Sequence, residues 1–169
     1  MYTNILVPID GSATSERALL EATRLARQCG ARLRLIHVVD PTRRISGFER
    51  PEVYVHDILP AILKAGTALL TRASETAAAE GVPVDATLRE SLGERIADVI
   101  VEHAAGCGAD LIVIGTHGRR GFNRALLGSE AEQVLRTAPV PVLMVKAMDA
   151  KATDAKAADA KAADAQASG

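Results

Sequence analysis

The chain has 169 residues, a composition that is 48% hydrophobic and a formal net charge of −1. This length predicts one domain with a single sizeable core. Only 2% of the residues are aromatic and Trp is absent, so the core has to be built from Val, Ile, Leu and Ala. The near-neutral charge and the scarcity of aromatic stacking groups argue against a nucleic-acid-binding protein and against attraction to anionic membranes.

The cysteines and the N-terminal segment bear on the cellular compartment. Cys29 and Cys107 lie far apart and form neither a CxxC pair nor a disulfide framework. We expect both to be small apolar groups in helices. The segment "MYTNILVPID" lacks the basic region and long apolar run of a signal peptide, and no apolar run approaches the ~18 residues of a membrane span. The sequence therefore predicts a cytoplasmic protein.

The first half of the chain alternates between strand and helix patterns. Gly30 predicts the end of the first helix, and Pro60 is compatible with a helix only in its first turn. The predicted elements are, in order, a strand at 4–9, a helix that ends before Gly30, a strand at 32–39, an irregular stretch at 40–56 and a long helix at roughly 57–80.

The second half continues the alternation. Residues 84–90 alternate apolar and polar side chains as an edge strand does. Apolar runs at 110–115 and 140–146 predict the last two strands, each preceded by a helix. The apolar faces of those two helices are Leu92, Ile96, Val99, Ile100, His103 and Ala104 in the first, and Ala131, Val134, Leu135 and Ala138 in the second.

Five strands that alternate with four helices predict a parallel sheet covered on both faces. The runs at 4–9 and 110–115 are apolar throughout, so we expect them to be the central strands. If they are neighbours and the chain order reverses between them, their carboxyl ends open a ligand crevice. Asp10 and Gly115 then lie at the two sides of this crevice, and Val38 ends a strand nearby.

The loop after the strand at 110–115 has the features of a phosphate-binding segment. Gly115 and Gly118 directly follow the predicted strand, and Gly128 and Ser129 directly precede the next predicted helix. Phosphate needs backbone N–H groups that it can approach closely, preferably at a helix N-terminus. Ser129 can cap that helix or donate its hydroxyl to a phosphate.

Three arginines, Arg119, Arg120 and Arg124, bring positive charge to the same loop. The alternative to a phosphate site is an ordinary strand-to-helix loop, in which glycines permit turns and a serine caps the helix. Two features favour the phosphate site: the position of the loop after a candidate central strand, and the spacing Gly-x-x-Gly, nine residues, Gly-Ser.

This spacing belongs to a known family. The sequence resembles the universal stress protein family over residues 1–146, through "ILVPIDGS", "LIHVV", "GADLIVIGTHGRRG" and "LLGSEAEQVLRTAPVPVLMVK". The glycine spacing is that of the branch of the family that binds ATP. The resemblance implies a Rossmann-like, doubly wound α/β fold with one open five-stranded parallel sheet of strand order 3-2-1-4-5.

The resemblance also implies roles for individual residues. Asp10, after Pro8 and Ile9, matches the acidic residue at the nucleotide site, in a segment that contacts adenine and ribose in the family. Val38 matches the position whose backbone reads the adenine edge. The residues that match the ribose- and phosphate-binding positions are Gly115, Gly118, Gly128 and Ser129.

Glu130 departs from the family pattern. Many ATP-binding members carry a small or β-branched residue after Gly-Ser. A carboxylate there favours the helix by ~0.3–1 kcal/mol, but repels a phosphate ~4 Å away by ~4 kcal/mol at an effective dielectric near 20. We therefore expect modest ATP binding that depends on Mg²⁺, with Arg119 or Arg120 offsetting part of the charge.

Other catalytic chemistry has no support in the sequence. The chain has neither a Walker-type P-loop nor a Gly-x-Ser-x-Gly elbow, and its four histidines lack zinc-like spacing. We expect His37 and His103 to be partly buried imidazoles with satisfied hydrogen bonds. His117, inside the glycine loop, either orients the loop or touches the ligand.

Three functions remain open. The first is a cytosolic, ATP-binding stress protein with little intrinsic turnover, which acts as a nucleotide-dependent switch or binding module. The second is an enzyme of the adenine-nucleotide-α-hydrolase type, for which no substrate-activating residue is evident. The third is a nucleotide-free scaffold, which the glycine spacing argues against and Glu130 argues for.

The end of the chain contributes two further expectations. The resemblance implies that Val142 and its neighbours in the strand at 140–146 pair across a two-fold axis to form a homodimer. Residues 147–169 are an Ala-, Lys- and Asp-rich tail in which, from Asp149 onward, the only apolar side chains are alanines. We expect this tail to be solvated and dispensable for folding.

Overall fold

The computed structural model describes residues 1–41, 54–91, 93–116 and 127–146. Strands and helices alternate through these ranges. In chain order they are β1 (Asn4–Pro8), α1 (Ala13–Cys29), β2 (Arg32–Val39), α2 (Leu59–Ala78), β3 (Val84–Glu90), α3 (Ile96–Gly106), β4 (Leu111–Gly115), α4 (Ser129–Thr137) and β5 (Val142–Val145). A π-helical turn, Tyr54–Ile58, precedes α2.

The five strands form one parallel sheet with the order β3-β2-β1-β4-β5. This confirms the predicted fold and strand order. The apolar strands β1 and β4 are central neighbours, because only a strand buried on both faces has to be apolar throughout. The alternating strand β3 lies at one edge, as predicted, and β5 lies at the other.

Helices cover both faces of the sheet. The alternation of side chains along β1 sends Ile5 and Val7 into a core with α1 and α2, and sends Leu6 into a second core with α3 and α4. All three side chains are fully buried. The first helix ends as predicted, since Gly30 adopts a left-handed conformation with φ of 67° that favours glycine.

The long helix spans Leu59–Ala78 with Pro60 in its first turn, which confirms the helix predicted at roughly 57–80. Two details of the predicted elements were wrong. The last strand spans Val142–Val145 and is shorter than 140–146. Leu135 is 47% exposed, because only Ala131 and Val134 face the core and the next residue lies ~100° further round the helix.

Four predicted features lie wholly or partly outside the described residues. They are most of the irregular stretch, 42–53, Leu92 of the predicted third helix face, most of the glycine loop, 117–126, and the C-terminal tail, 147–169. Among the helices in the described ranges, none combines the length and apolar character needed to cross a membrane.

Candidate functional site

The central strands β1 and β4 pair over only part of their length. Their register joins Ile5 with Leu111 and Leu6 with Ile112, whereas β4 continues to Gly115 and β1 to Pro8. The strand order also reverses between them, as the sequence predicted. The carboxyl ends of β1 and β4 therefore form a crevice at the topological switch point of the sheet.

The loop that leaves β1 is held by its own side chains. The Oδ1 atom of Asp10 accepts a hydrogen bond from Ser12 N–H at 2.9 Å, and Gly11 supplies the left-handed turn with φ of 77°. Ser12 then caps α1, because its Oγ accepts a hydrogen bond from Ser15 N–H at 3.2 Å. Asp10 thus lies half-buried at the crevice in a loop of fixed shape.

Ile9, between Pro8 and Asp10, is fixed to β2 through both of its backbone groups. Its N–H donates to the carbonyl of Ile36 at 2.8 Å, and its carbonyl accepts from Nδ1 of His37 at 2.6 Å. The His37 ring is buried, as expected, and α2 passes so close that a Cβ at Gly66 would lie 2.9 Å from its Cδ2 atom. These contacts fix the position of Ile9 and therefore the position of Asp10, which follows it.

Val38 presents its backbone to the crevice. The Ile36 carbonyl faces β1, and the Val39 carbonyl faces β3, where it accepts from Ser91 N–H. The backbone groups of successive residues in a strand point to opposite neighbouring strands. The N–H and C=O of Val38, two residues after Ile36, therefore point to the β1 side. They lie beyond the last registered pair of β1 and β2, which joins Pro8 and Ile36.

Gly115 lets the first turn of α1 touch the end of β4. A Cβ at this position would lie 2.8 Å from both the carbonyl carbon and the Oγ1 of Thr14. Real Cβ atoms do not approach other atoms so closely, so a larger residue would displace the start of α1. Gly115 thereby brings the Asp10 loop and the end of β4 together.

The segment after the glycine loop returns to the same place. Gly128 donates its N–H to the carbonyl of Thr116 at 2.8 Å, and Thr116 in turn donates to Val145. Gly128 is the N-cap of α4 and provides no side-chain cap. Ser129 is therefore the first helical residue and does not cap the helix, contrary to one of the two roles predicted for it.

The start of α4 leaves backbone donors available. In an α-helix the first N–H groups have no intrahelical acceptor, and here the first such bond is that from Glu132 N–H to the Gly128 carbonyl. Among the described residues, no acceptor pairs with the N–H groups of Ser129, Glu130 and Ala131. The Ser129 side chain is exposed beside them.

The Glu130 carboxylate is bound by a different helix. Its Oε2 accepts a hydrogen bond from Ala97 N–H at 3.1 Å. Ala97 lies in the first turn of α3, whose N-cap residue Arg95 makes no capping hydrogen bond. Glu130 thus caps α3 from outside, in a position where the positive end of the α3 dipole compensates its charge.

The remaining predicted site residues, Gly118 and Arg119, lie outside the described residues, as do Arg120, Arg124 and His117. Sequence reasoning missed the contributions of two residues near the crevice. His37 was treated only as a buried imidazole, although its place one residue before Val38 was a usable signal. Thr116, which accepts from Gly128, directly follows Gly115 but carries no motif of its own.

Comparison with known proteins is decisive for the family. A model of the universal stress protein family matches residues 1–146. The chain belongs to this family. Universal stress protein YxiE of Bacillus subtilis is 35% identical over 151 residues, which span 86% of this chain and all of that protein.

Solved structures of universal stress proteins share the fold. One from Archaeoglobus fulgidus in complex with dAMP has a TM-score of 0.60 and 29% identity, over 86% of this chain and 98% of that chain. Another, in complex with cAMP, has a TM-score of 0.63 and 26% identity, over 87% of this chain and 98% of that chain. Adenine nucleotides thus bind to related members of this family.

Proposed function

We propose that this universal stress protein binds an adenine nucleotide, foremost ATP with Mg²⁺, between the carboxyl ends of β1 and β4. The nucleotide-loaded form acts as a switch or binding module in a cytosolic stress response, with little turnover. The observation that carries the proposal is the start of α4, where the N–H groups of Ser129, Glu130 and Ala131 have no acceptor among the described residues.

A phosphate fits this helix start better than it fits the two others nearby. Ser12 caps α1 with its own hydroxyl, and Glu130 caps α3 with its carboxylate. The N–H groups that begin α4 offer a phosphate both hydrogen bonds and the positive end of a helix dipole. The exposed Ser129 hydroxyl adds one more donor.

The adenosine part would lie along the ends of β1 and β2. The Val38 backbone groups, directed past the end of β1, suit the hydrogen-bonding edge of adenine. The half-buried carboxylate of Asp10 suits a ribose hydroxyl. The complexes of relatives with dAMP and cAMP support an adenine nucleotide as the ligand class.

Mass spectrometry of the denatured protein tests the proposal, because a bound nucleotide would copurify. Calorimetric titration with ATP, ADP and AMP, each with and without Mg²⁺, then ranks the ligands. We expect ATP with Mg²⁺ to bind most tightly, since Mg²⁺ offsets the charge of the triphosphate. No copurified nucleotide and no binding heat would favour the nucleotide-free scaffold.

Phosphate and pyrophosphate release separate the switch from an enzyme of the adenine-nucleotide-α-hydrolase type. The proposed switch releases phosphate slowly and gains nothing from added small molecules. Pyrophosphate release that depends on a second substrate would instead identify an enzyme.

We further propose a homodimer that pairs the β5 edges of two copies. Leu143 in β5 is 42% exposed, and an apolar edge strand left open is an aggregation hazard that natural proteins cover. Antiparallel pairing of two identical edges is isologous and closes.

Leu143→Lys should shift the protein towards monomer in light scattering. The matched control is Leu20→Lys on α1, where the leucine is 47% exposed, and its mass should equal that of the wild type. An unchanged dimer in the Leu143 variant would exclude this interface.

A further inference from the structure

The outer part of the sheet carries charged side chains on the α3/α4 side. Ile36 of β2 packs into the core on that side, so Arg32 and Arg34, at even spacing along the same strand, point to the same face. The register pairs Arg34 with Asp85 and Val38 with Arg89. Asp85 and Arg89 of β3 therefore lie on this face as well.

The hydrophobic core under α3 and α4 does not extend to β3: it contains residues of β1, β2 and β4, such as Leu6, Ile36 and Ile112, whereas the β3 residues on this face are polar. In the described residues Arg89 is exposed to solvent. The side chains of Arg32 and Asp85 are 49% and 45% exposed. We call the group Arg32, Arg34 and Arg89 the basic bay.

Positive charge exceeds negative charge in the basic bay. Arg32 and Arg34 both donate through Nη1 to the same Oδ2 atom of Asp85, at 3.0 and 2.8 Å. Arg89 is exposed and forms no ion pair within the described ranges. The Asp85 carboxylate offsets only part of this positive charge, and the exposed guanidinium of Arg89 remains available to an added anion.

The positive charges of the basic bay also act on His103 of α3. Burial lowers the pKa of His103 below its ordinary value of 6.5, and the charges of Arg89 and Arg34 lower it further, against the opposing charge of Glu102.

We propose that the basic bay binds an acidic segment of a partner protein through its Asp or Glu carboxylates. The Asp85 carboxylate already binds in the way proposed for the partner, since one of its oxygens accepts hydrogen bonds from two guanidinium groups. The adjoining edge strand β3 offers backbone groups to an extended segment. With 2% aromatic residues, the chain lacks the stacking groups typical of sites for single-stranded nucleic acid.

Fluorescence anisotropy with a labelled peptide of alternating Glu and Thr tests this inference at low ionic strength. Arg89→Glu should weaken binding about tenfold, because it reverses a charge inside the site. Asp85→Asn should tighten binding severalfold, because it removes the internal competitor for Arg32 and Arg34. The control Arg24→Glu, on α1 across the sheet, should bind within about twofold of the wild type.

Three results would overturn the inference. If Arg89→Glu and Asp85→Asn both bind like the wild type, or if Arg24→Glu loses as much as Arg89→Glu, the basic bay is not the binding site. If heparin binds more tightly than the peptide and with the same dependence on Arg89, the partner is a polyanion and not an acidic protein. Thermal melts confirm that each variant is folded, and Arg89→Gln repeats the test with less perturbation.

Discussion

The pairing of β1 and β4 differs at its two ends. At the amino end the Asp110 carboxylate accepts hydrogen bonds from the N–H and the hydroxyl of Thr3, both at 2.7 Å, and from Asn4 N–H at 3.1 Å. At the carboxyl end the registered pairs stop at Leu6 and Ile112, although β1 continues to Pro8 and β4 to Gly115.

This difference separates a stabilising end of the strand pair from the end where we propose that the nucleotide binds. The amino end satisfies its polar groups internally, so changes there should affect the free energy of unfolding. The carboxyl end leaves the donors of α4 available and is bordered by loops, where binding residues are commonly carried on a rigid scaffold. Substitutions that exchange or remove these properties should therefore change stability at one end and ligand affinity at the other.

The largest effect is expected from giving α4 the internal cap that α1 has. Gly128→Asp places a carboxylate acceptor at the N-cap, which should stabilise the protein without ligand by about a few tenths of a kcal/mol. The same carboxylate occupies the donors proposed for phosphate and repels it, so ATP affinity should fall by about tenfold or more. Thermal melts and calorimetric titration measure the two effects separately.

Gly128→Ala is the matched control. Gly128 has φ of −65° and ψ of 139°, which any residue adopts, so the position does not need glycine for its backbone conformation. Alanine adds neither an acceptor nor a charge, and its ATP affinity should stay close to that of the wild type. If the aspartate variant binds ATP as well as the alanine variant does, phosphate does not use the start of α4.

The fold could be predicted from the sequence because its determinants are local. The continuous apolar runs of β1 and β4, the alternation in β3 and the stop at Gly30 each depend on residues close in sequence. Leu135 was misplaced because a periodic pattern does not reveal how narrow the buried face of a helix is.

The candidate site was only partly predictable, because its decisive contacts join distant residues. Asp10 and Gly115 could be placed from strand ends alone. The hydrogen bond from Ala97 N–H to Glu130 joins residues that are 33 positions apart and belong to two different helices. The hydrogen bond from His37 to Ile9 forms only because β2 pairs with β1. Sequence reasoning put Glu130 at the right helix turn, but it had no means to find the partner of the carboxylate.

At the amino end, Asp110→Ala should lower the free energy of unfolding by about 1.5–2 kcal/mol, in the lower part of the range for hydrogen bonds to a charged group because Thr3 is exposed. ATP affinity should not change. Urea unfolding measures the loss. If affinity falls instead, the two ends are coupled through β1 and β4.

The same carboxylate predicts a pH dependence. Burial alone would raise the pKa of Asp110, but the hydrogen bonds from Thr3 and Asn4 outweigh it and hold the pKa below the ordinary 3.8. Its stabilising contribution is therefore complete above pH 3.8 and is lost as the pH falls further, through the pKa of the folded state. Asp110→Asn should lack this part of the acid dependence, which urea unfolding at a series of pH values would reveal.

The smallest effect concerns Glu130, whose charge and acceptor can be separated. Glu130→Gln keeps an acceptor for Ala97 N–H, whereas Glu130→Val removes it and leaves a fully buried residue with an unpaired donor. The valine variant should lose about 1 kcal/mol, or about 2–4 °C in thermal midpoint, and the glutamine variant distinctly less.

Both variants lack the negative charge, so any residual repulsion of ATP should be relieved equally in the two. Since the positive end of α3 already compensates that charge, we expect the gain in affinity to stay well below the ~4 kcal/mol of an uncompensated pair. A glutamine variant that is as unstable as the valine variant would mean that the charge at the α3 dipole, and not the hydrogen bond, stabilises this helix start.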